Sequence, residues 1–320
     1  HKLTAGLQDQ GVDVCNDLDH PTLDAILVIG GTRKIERLWR ARRQGIRIVQ
    51  RLDGMNWLHR VRPTGLRHYL RSEYGNLLLS LIRRRFADHI VYQSEFSRDW
   101  WESQRGPTLV PNSIVHNGVD LNTFTPSGQH QRPDTRYRVL LVEGNLMGGY
   151  ETGLEVAIQL VASLAELAGQ LGNPVELMGV GRVQPQIKER RQDASPVPIQ
   201  WIGQVPHERI PEINRSAHLL YSADINPACP NSVIEALGCG LPVLAFDTGA
   251  LPELIAGEAG RVVSYGGDPW RLEPPDMPVL VEAAIEILTD QALFRRGARE
   301  RAESVFGLDQ MVAGYMQALL

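Results

Sequence analysis

CPNSVIEALGCGLPVLAFDTGALPEL, residues 229–254, reads as loop, short helix, buried strand and loop. Pro230 stiffens the lead-in, and Asn231 or Ser232 can cap a helix start. Val233, Ile234, Ala236 and Leu237 supply an apolar body, and Gly238 and Gly240 end it. LPVLAF is a continuous apolar run, as expected of a strand covered on both faces. A helix that begins beside a loop presents unpaired amides and the positive end of its dipole, so it attracts phosphate. One carboxylate, Glu235, sits a turn into this helix. Ser232 to Glu235 fits the S-x-x-E capping box, in which the carboxylate returns to the cap amide. The same carboxylate can instead face a ligand.

Outward from that stretch, strand and helix patterns alternate. AILVIG (25–30), IRIVQ (46–50) and HIVYQ (89–93) read as strands, each followed by a helical pattern, the last by SEFSRDWWESQ with Ser94 as its cap. TPSGQHQRPDT (125–135) has linker composition. YRVLLVEG, VELMGV, IQWIG and HLLYSA then alternate with helices up to the opening segment. Strands separated by helices of this length imply parallel sheets wound with helices on both faces, with ligands at the carboxyl ends of the strands. The expected fold class is α/β, two Rossmann-like doubly wound domains facing each other across a cleft. The boundaries fall at 1–125 and 126–307, with 308–320 a terminal helix packing back on the first domain. The chain opens on His-Lys-Leu within a helical pattern, so its true start and a first strand are expected to precede it.

The 320 residues suit about two domains, and 43% hydrophobic with 22% charged residues suits a globular chain with ample core. Cys15, Cys229 and Cys239 form neither a metal spacing nor an even disulfide framework, which fits a reduced, cytoplasmic compartment. No apolar run spans a bilayer and no signal peptide is evident. Charge is unevenly spread. Residues 33–105 hold 17 Lys and Arg against 7 Asp and Glu, whereas the remainder holds 16 against 30. This fits an anionic partner for the first half, including peripheral contact with an anionic membrane, or else a solvated arginine-rich surface. No nucleic-acid motif is present.

Single motifs say little. MGVGR (178–182) lacks the third glycine of a dinucleotide fingerprint and reads as a strand-to-helix turn. Asn-Gly in VHNGVD (115–120) suits a left-handed turn. P-loop, G-x-S-x-G and HExxH patterns are absent.

Taken in order, HNGVDLNTF, the linker, VEGN, IQWIGQVP, HLLYSADINP and the opening segment resemble the family 4 retaining glycosyltransferases of GT-B fold (group 1 glycosyltransferases), over nearly the whole chain. The resemblance implies transfer of a hexosyl unit from a nucleoside-diphosphate sugar to a sugar, lipid or polysaccharide acceptor, as in polysaccharide biosynthesis, with no metal or other cofactor. It places Glu235 on the donor ribose and the amides of Asn231, Ser232 and Val233 on the diphosphate. Two departures stand out. The family's first glutamate, eight positions earlier, is Pro227 here, and its donor-phosphate Arg and Lys are replaced in EGNLMGGYETG (143–153) by Asn145 and by no lysine. Amides of Gly144, Gly148 and Gly149 can form an anion nest there instead. On the acceptor side, Asp53 ends the strand of IVQRLDG and is the candidate catalytic or acceptor-orienting group, or else an Asp-Gly turn residue. His68 and Arg51 are weaker candidates. The alternative reading is a non-catalytic sugar- or nucleotide-binding subunit of the same fold.

Overall fold

The computed structural model describes residues 2–145 and 151–320. The chain divides into two compact units, 1–118 with 308–320, and 119–307.

The first unit is built on a parallel sheet in the order β1 (Ala25–Ile29), β2 (Arg47–Leu52), β3 (His89–Tyr92), β4 (Asn112–Ile114). Its helices are α1 (Lys2–Asp9), α2 (Ile35–Arg43), α3 (Leu58–Val61), α4 (Leu66–Arg85) and α5 (Glu95–Arg105), with a C-terminal helix over Leu308–Leu319. Successive side chains of a strand point to opposite faces, so these apolar strands supply a core on each face of the sheet. Ile26, Val28 and Ile48 meet Leu38 of α2 and Ile82 of α4. Val49 and Val91 meet Met311, Tyr315 and Ala318 of the C-terminal helix. The Arg47 Nε–H donates to the Ala318 carbonyl at 2.8 Å, which ties that helix to the sheet. Ser94 caps α5 as its sequence predicts, its Oγ accepting from the Ser97 amide at 3.0 Å.

The second unit is a six-stranded parallel sheet in the order β10-β9-β8-β5-β6-β7. In chain order these are β5 (Tyr137–Asn145), β6 (Val175–Arg182), β7 (Ile199–Gly203), β8 (Leu219–Tyr221), β9 (Val243–Phe246) and β10 (Gly260–Val263). The intervening helices that matter below are α6 (Glu151–Glu166), α7 (Ala168–Leu171), α8 (Pro185–Ala194), α9 (Ile210–Arg215) and α10 (Asn231–Gly238). All four residues of β9 are buried, as an apolar run without alternation requires. Strand order reverses between β5 and β8, and such a switch point opens a crevice at the strands' carboxyl ends.

The α/β fold with two Rossmann-like units is therefore as expected from the sequence. Several local expectations are corrected. MGVGR is not a strand-to-helix turn, because β6 runs through it to Arg182. Gly118 does not take the left-handed conformation that the Asn-Gly pair suggested. Instead Asn117 Oδ1 accepts from Arg51 Nη2 at 2.9 Å and from Gln93 Nε2 at 2.5 Å. The polar stretch 125–135 is fastened within the second unit rather than hanging free. Arg215 donates to the Thr125 and Gln129 carbonyls, and the Gln131 amide donates to Ser216 Oγ at 2.8 Å. The division between units accordingly falls at 118/119, ahead of 125/126.

Candidate functional site

Helix α10 starts where the sequence placed it, but Pro230 occupies the cap position and no side chain caps the helix. Ser232 lies inside the first turn, so Ser232 and Glu235 do not form a capping box. That leaves the first-turn amides around Asn231, Ser232 and Val233 without a side-chain cap, and these are the amides a helix start offers to an anion. Glu235 is only 5% exposed, and its Oε1 accepts from His207 Nε2 at 2.8 Å. His207 is half-exposed at the start of the short turn His207–Arg209 after β7, and its ring lies 5.4 Å from that of Phe124. A buried carboxylate held at one oxygen by an accessible imidazole is an acceptor set at a fixed angle, suited to sugar hydroxyls.

At the switch point, β5 ends in Glu143, Gly144 and Asn145, and the segment after β8 carries Ser222, Asp224 and Asn226. Burial and the neighbouring Asp224 carboxylate push the Glu143 carboxyl well above the usual carboxylate range. Burial raises Asp224 as well. The two therefore hold a proton between them far more readily than isolated carboxylates. Around them stand hydrogen-bonding atoms with no partner among the described residues, Ser222 Oγ and Asn226 Nδ2. A small cavity of about 10 Å³, bordered by Thr152, Ser222, Asp224 and Thr248, has about the room one water needs. None of Glu143, Asp224 or His207 was singled out from the sequence. The available signal was an acid at each of two strand ends, in VLLVEG and HLLYSAD.

Two glycines set this geometry. Gly181 in β6 has φ +137°, and a Cβ there would lie 1.9 Å from the Glu143 carbonyl oxygen. Only a residue without a side chain lets β6 pass this close to the end of β5. Gly249, with φ +60°, lies so close to the Pro227 backbone that a Cβ would be 2.4 Å from its nitrogen. The Ala250 amide donates to the Pro227 carbonyl at 2.8 Å. The backbone at Pro227 is thus fixed by its main chain, and the loop before α10 keeps its path although the position carries no carboxylate.

Gly144 does not need to be glycine for its conformation, since its φ is not left-handed and a Cβ would meet nothing within 4 Å. Asn145 ends β5 in register with Arg182. Gly148 and Gly149 lie outside the described residues. Among the described residues, no group of three or more His, Cys, Asp and Glu side chains could hold a metal ion.

In the first unit, Asp53 follows β2 with its side chain accessible. Its carbonyl accepts from Ser97 Oγ at 3.0 Å and from Trp101 Nε1 at 2.7 Å. Surrounding protein nevertheless raises the Asp53 carboxyl, with Arg51 pulling the other way. The Asp-Gly turn reading fails, because Gly54 is not left-handed and its smallness instead admits the Trp100 ring, 2.6 Å from a built Cβ. His68 Nδ1 is 3.1 Å from Thr64 Oγ1 in an open groove that Arg33, Arg67 and Arg71 also line.

Residues 137–290 match the family model described as "Glycosyl transferases group 1". This segment is similar to the group 1 glycosyltransferases. It contains Glu143, Gly144, Asn145, His207, Asp224 and all of α10. D-inositol 3-phosphate glycosyltransferase of Mycolicibacterium smegmatis is 23% identical over 249 residues, 73% of this chain and 54% of that protein. The chain thus spans about half the length of this curated relative. Among solved structures, Anabaena HepE in complex with UDP-glucose superposes with TM-score 0.64 at 18% identity, over 91% of this chain and 78% of that one. WaaG, a glycosyltransferase involved in lipopolysaccharide biosynthesis, superposes with TM-score 0.68 at 15% identity, over 98% and 94%. These likenesses establish the GT-B glycosyltransferase fold.

Proposed function

We propose that the chain transfers a hexosyl unit from a nucleoside-diphosphate sugar to a sugar, lipid or polysaccharide acceptor with retention at the anomeric carbon. The observation that carries this is Glu235, a buried carboxylate hydrogen-bonded to His207, one turn behind the start of a helix whose cap residue has no side-chain donor or acceptor, in the matched segment. The binding of UDP-glucose by HepE supports a nucleotide-sugar donor.

In this reading the ribose hydroxyls donate to Glu235, whose orientation His207 fixes. The diphosphate rests on the amides of Asn231 to Val233 and on those of Gly144, Asn145 and the loop containing Gly148 and Gly149. Ionised acids at the switch point would repel the diphosphate. The Glu143 and Asp224 carboxyls, both raised by desolvation, hold a proton more readily than free carboxylates, and a protonated carboxyl here would give the diphosphate an O–H donor in place of part of the family's Arg and Lys. The bond from the anomeric carbon to the diphosphate oxygen breaks, and the acceptor oxygen bonds to that carbon on the same face. The acceptor proton passes to the departing phosphate oxygen. Catalysis rests on positioning and on stabilising the leaving diphosphate, without metal, and Asp53 orients the acceptor hydroxyl.

The test is a thermal-shift panel of nucleoside-diphosphate sugars on the chain and on Glu235→Gln. A donor at a hundred times its Kd stabilises by about 2.7 kcal/mol. The variant should weaken donor binding about tenfold or more through loss of a charge-assisted acceptor, with its unliganded melting temperature nearly unchanged. Equal donor affinity with a lowered melting temperature would return Glu235 to a purely structural role. Wild-type protein that neither binds nor turns over any donor would leave the non-catalytic reading.

A further inference from the structure

At the end of the second sheet opposite the switch point, the starts of β5 and β8 bring Arg138 and His218 together. The Arg138 amide donates to His218 Nδ1 at 3.0 Å. A ring nitrogen that accepts carries no proton, so the proton of the neutral imidazole sits on Nε2. That Nε2–H has no partner among the described residues. Two further segments close on the same place. In the stretch 125–135, the Gln131 carbonyl accepts from Arg138 Nη1 at 2.9 Å and the Gln131 amide donates to Ser216 Oγ. In the helix over Gln291–Val305, Arg295 Nη1 donates to the Ala217 carbonyl at 3.2 Å and Gln291 Nε2 to the His218 carbonyl at 3.1 Å. Arg132, next to Gln131, and Arg295 are thereby brought to the His218 ring from two different elements.

The positive charge gathered here exceeds what the fold itself neutralises. The buried acid of this end, Glu176, accepts from Arg138 Nε at 2.7 Å, and its second oxygen takes Arg136 Nη1 at 3.3 Å and Gln200 Nε2 at 3.2 Å. Arg215 is engaged by the Thr125 and Gln129 carbonyls. Asp134 is exposed and forms no ion pair among the described residues. The Arg132 guanidinium has neither a hydrogen bond nor an ion pair there, and Arg295 keeps Nε and Nη2 without a partner. Both side chains are half-buried, unlike a solvated basic surface. The repulsion is felt: burial, with Arg132 beside it, lowers the Arg295 pKa to about 10. Burial, with Arg132, Arg295 and Arg138, lowers His218 to about 3, so its ring stays neutral. An anion seated among these groups would remove the repulsion. Two guanidiniums and one N–H, supplied by three separate elements, suit a tetrahedral oxyanion better than a flat carboxylate, for which a single guanidinium fork is enough.

We propose that Arg132, Arg295 and the His218 Nε2–H form an anion site that binds the phosphate group of a small phosphorylated molecule. The site lies at the opposite ends of β5 and β8 from Glu143 and Asp224, and all of its residues belong to the second unit. It is therefore distinct from the donor site at α10, and the inference does not depend on the donor reading. Arg132 and Arg295 hold the phosphate oxygens by charge-assisted hydrogen bonds, and His218 fixes its orientation through one neutral donor.

The experiment follows the histidine ring nitrogens of the chain by NMR during titration with inorganic phosphate and, separately, with a hexose monophosphate. Sodium chloride at matched ionic strength is the control, and His218 is assigned through its contact with the Tyr137 ring. Either phosphate should shift the His218 Nε2 resonance saturably, with Kd on the order of a millimolar, and slow the exchange of its proton with water. Tighter binding of the monophosphate assigns the site to an organic phosphate, and equal binding to the free ion. Arg132→Gln should weaken binding about tenfold or more. Its melting temperature without phosphate should stay level or rise, because a repulsion is relieved, while the stabilisation that phosphate gives the wild type is lost. Arg295→Gln should weaken binding similarly, and Arg132→Gln alone decides the matter if that variant does not fold. An unmoved His218 resonance, a shift that sodium chloride reproduces, or equal phosphate affinity in Arg132→Gln overturns the proposal. A His218 response abolished by prior addition of a nucleoside diphosphate would put the phosphate on the donor site and likewise overturn it. A lowered melting temperature of Arg132→Gln without phosphate would mean that this guanidinium serves the fold, and would remove it from the site.

Discussion

The carboxyl edges of the two sheets are built alike and charged oppositely. In the second unit, the ends of β5 and β8 and the helix after β8 carry Glu143, Asp224 and Glu235, with His207 on Glu235. In the first unit, the segments after β1 and β2 lead to Arg33, His68 and Arg71. Glu235 is buried and Glu143 and Asp224 are half-buried, so these acids must be neutralised or hydrogen-bonded to be tolerated. The arginines are exposed and keep their charge at little cost. A parallel sheet thus supplies the same place twice, and burial decides what chemistry the place can do. A dry edge makes shared protons and fixed acceptors, whereas a wet edge makes an electrostatic surface. The uneven charge along the chain is the sequence-level trace of this difference.

The comparison breaks most completely if the backbone under the acidic edge is disturbed. Gly181→Ala forces a Cβ toward the Glu143 carbonyl at a position whose φ of +137° a side chain rarely adopts. The expected cost is about 3 kcal/mol or more, because both strands would have to part. Urea unfolding of the variant checks it. A cost below about 1 kcal/mol would mean that β5 and β6 are not held as close as described.

A second experiment removes the acidity itself. Groups whose folded pKa is raised stabilise the fold below their unfolded pKa, and that stability is lost as pH rises through the folded value. For Glu143 and Asp224 the loss therefore begins above about pH 4. His218 works in another window. Burial, with Arg132, Arg295 and Arg138 nearby, lowers its pKa to about 3, so its contribution is full above about pH 6.5 and is lost as pH falls toward 3. Above about pH 6.5 His218 adds no slope, so of the two any loss of stability as pH rises there belongs to the acid pair. Glu143→Gln should stabilise the chain by about 1–3 kcal/mol at pH 8 and progressively less on acidification. Denaturant titrations at pH 5, 7 and 9 measure this. A variant with the wild-type slope would show that the two carboxylates do not share a proton.

Much of this was legible in the sequence. Periodicity and apolar runs found the strands, and Ser94 caps its helix as expected. The errors lie where a side chain could serve two masters. Ser232 and Glu235 have capping-box spacing, but Pro230 takes the cap position two residues earlier than that motif requires. Asn117-Gly118 has turn composition, but the Asn117 side chain is occupied by Arg51 and Gln93. The pair of Glu143 and Asp224 was illegible for a simpler reason. The two acids are far apart in sequence, and only the strand order brings β5 beside β8.

The smallest expected effect concerns the wet edge, and it asks what holds that edge together. Glu73 is the one acid of α4, and it accepts from Arg60 Nε at 2.6 Å and from Arg60 Nη2 at 3.0 Å, while His59 Nε2 lies 2.8 Å from its Oε1. It thereby fastens the turn of α3 to the beginning of α4, beside the groove. The hydrogen bonds from Arg60, aided by His59 and opposed by desolvation, lower the Glu73 pKa to about 2. A depressed carboxylate stabilises above its unfolded value of about 4.5, and that stability is lost as pH falls toward 2. Because Arg60 is exposed and Glu73 partly so, solvent screening leaves only about 1 kcal/mol at pH 7. Glu73→Gln should therefore lower stability by about that amount at pH 7 and by nearly nothing near pH 2.5. Thermal melts at the two pH values complete the test. A deficit that persists unchanged at pH 2.5 would mean that Glu73 acts by packing rather than by charge.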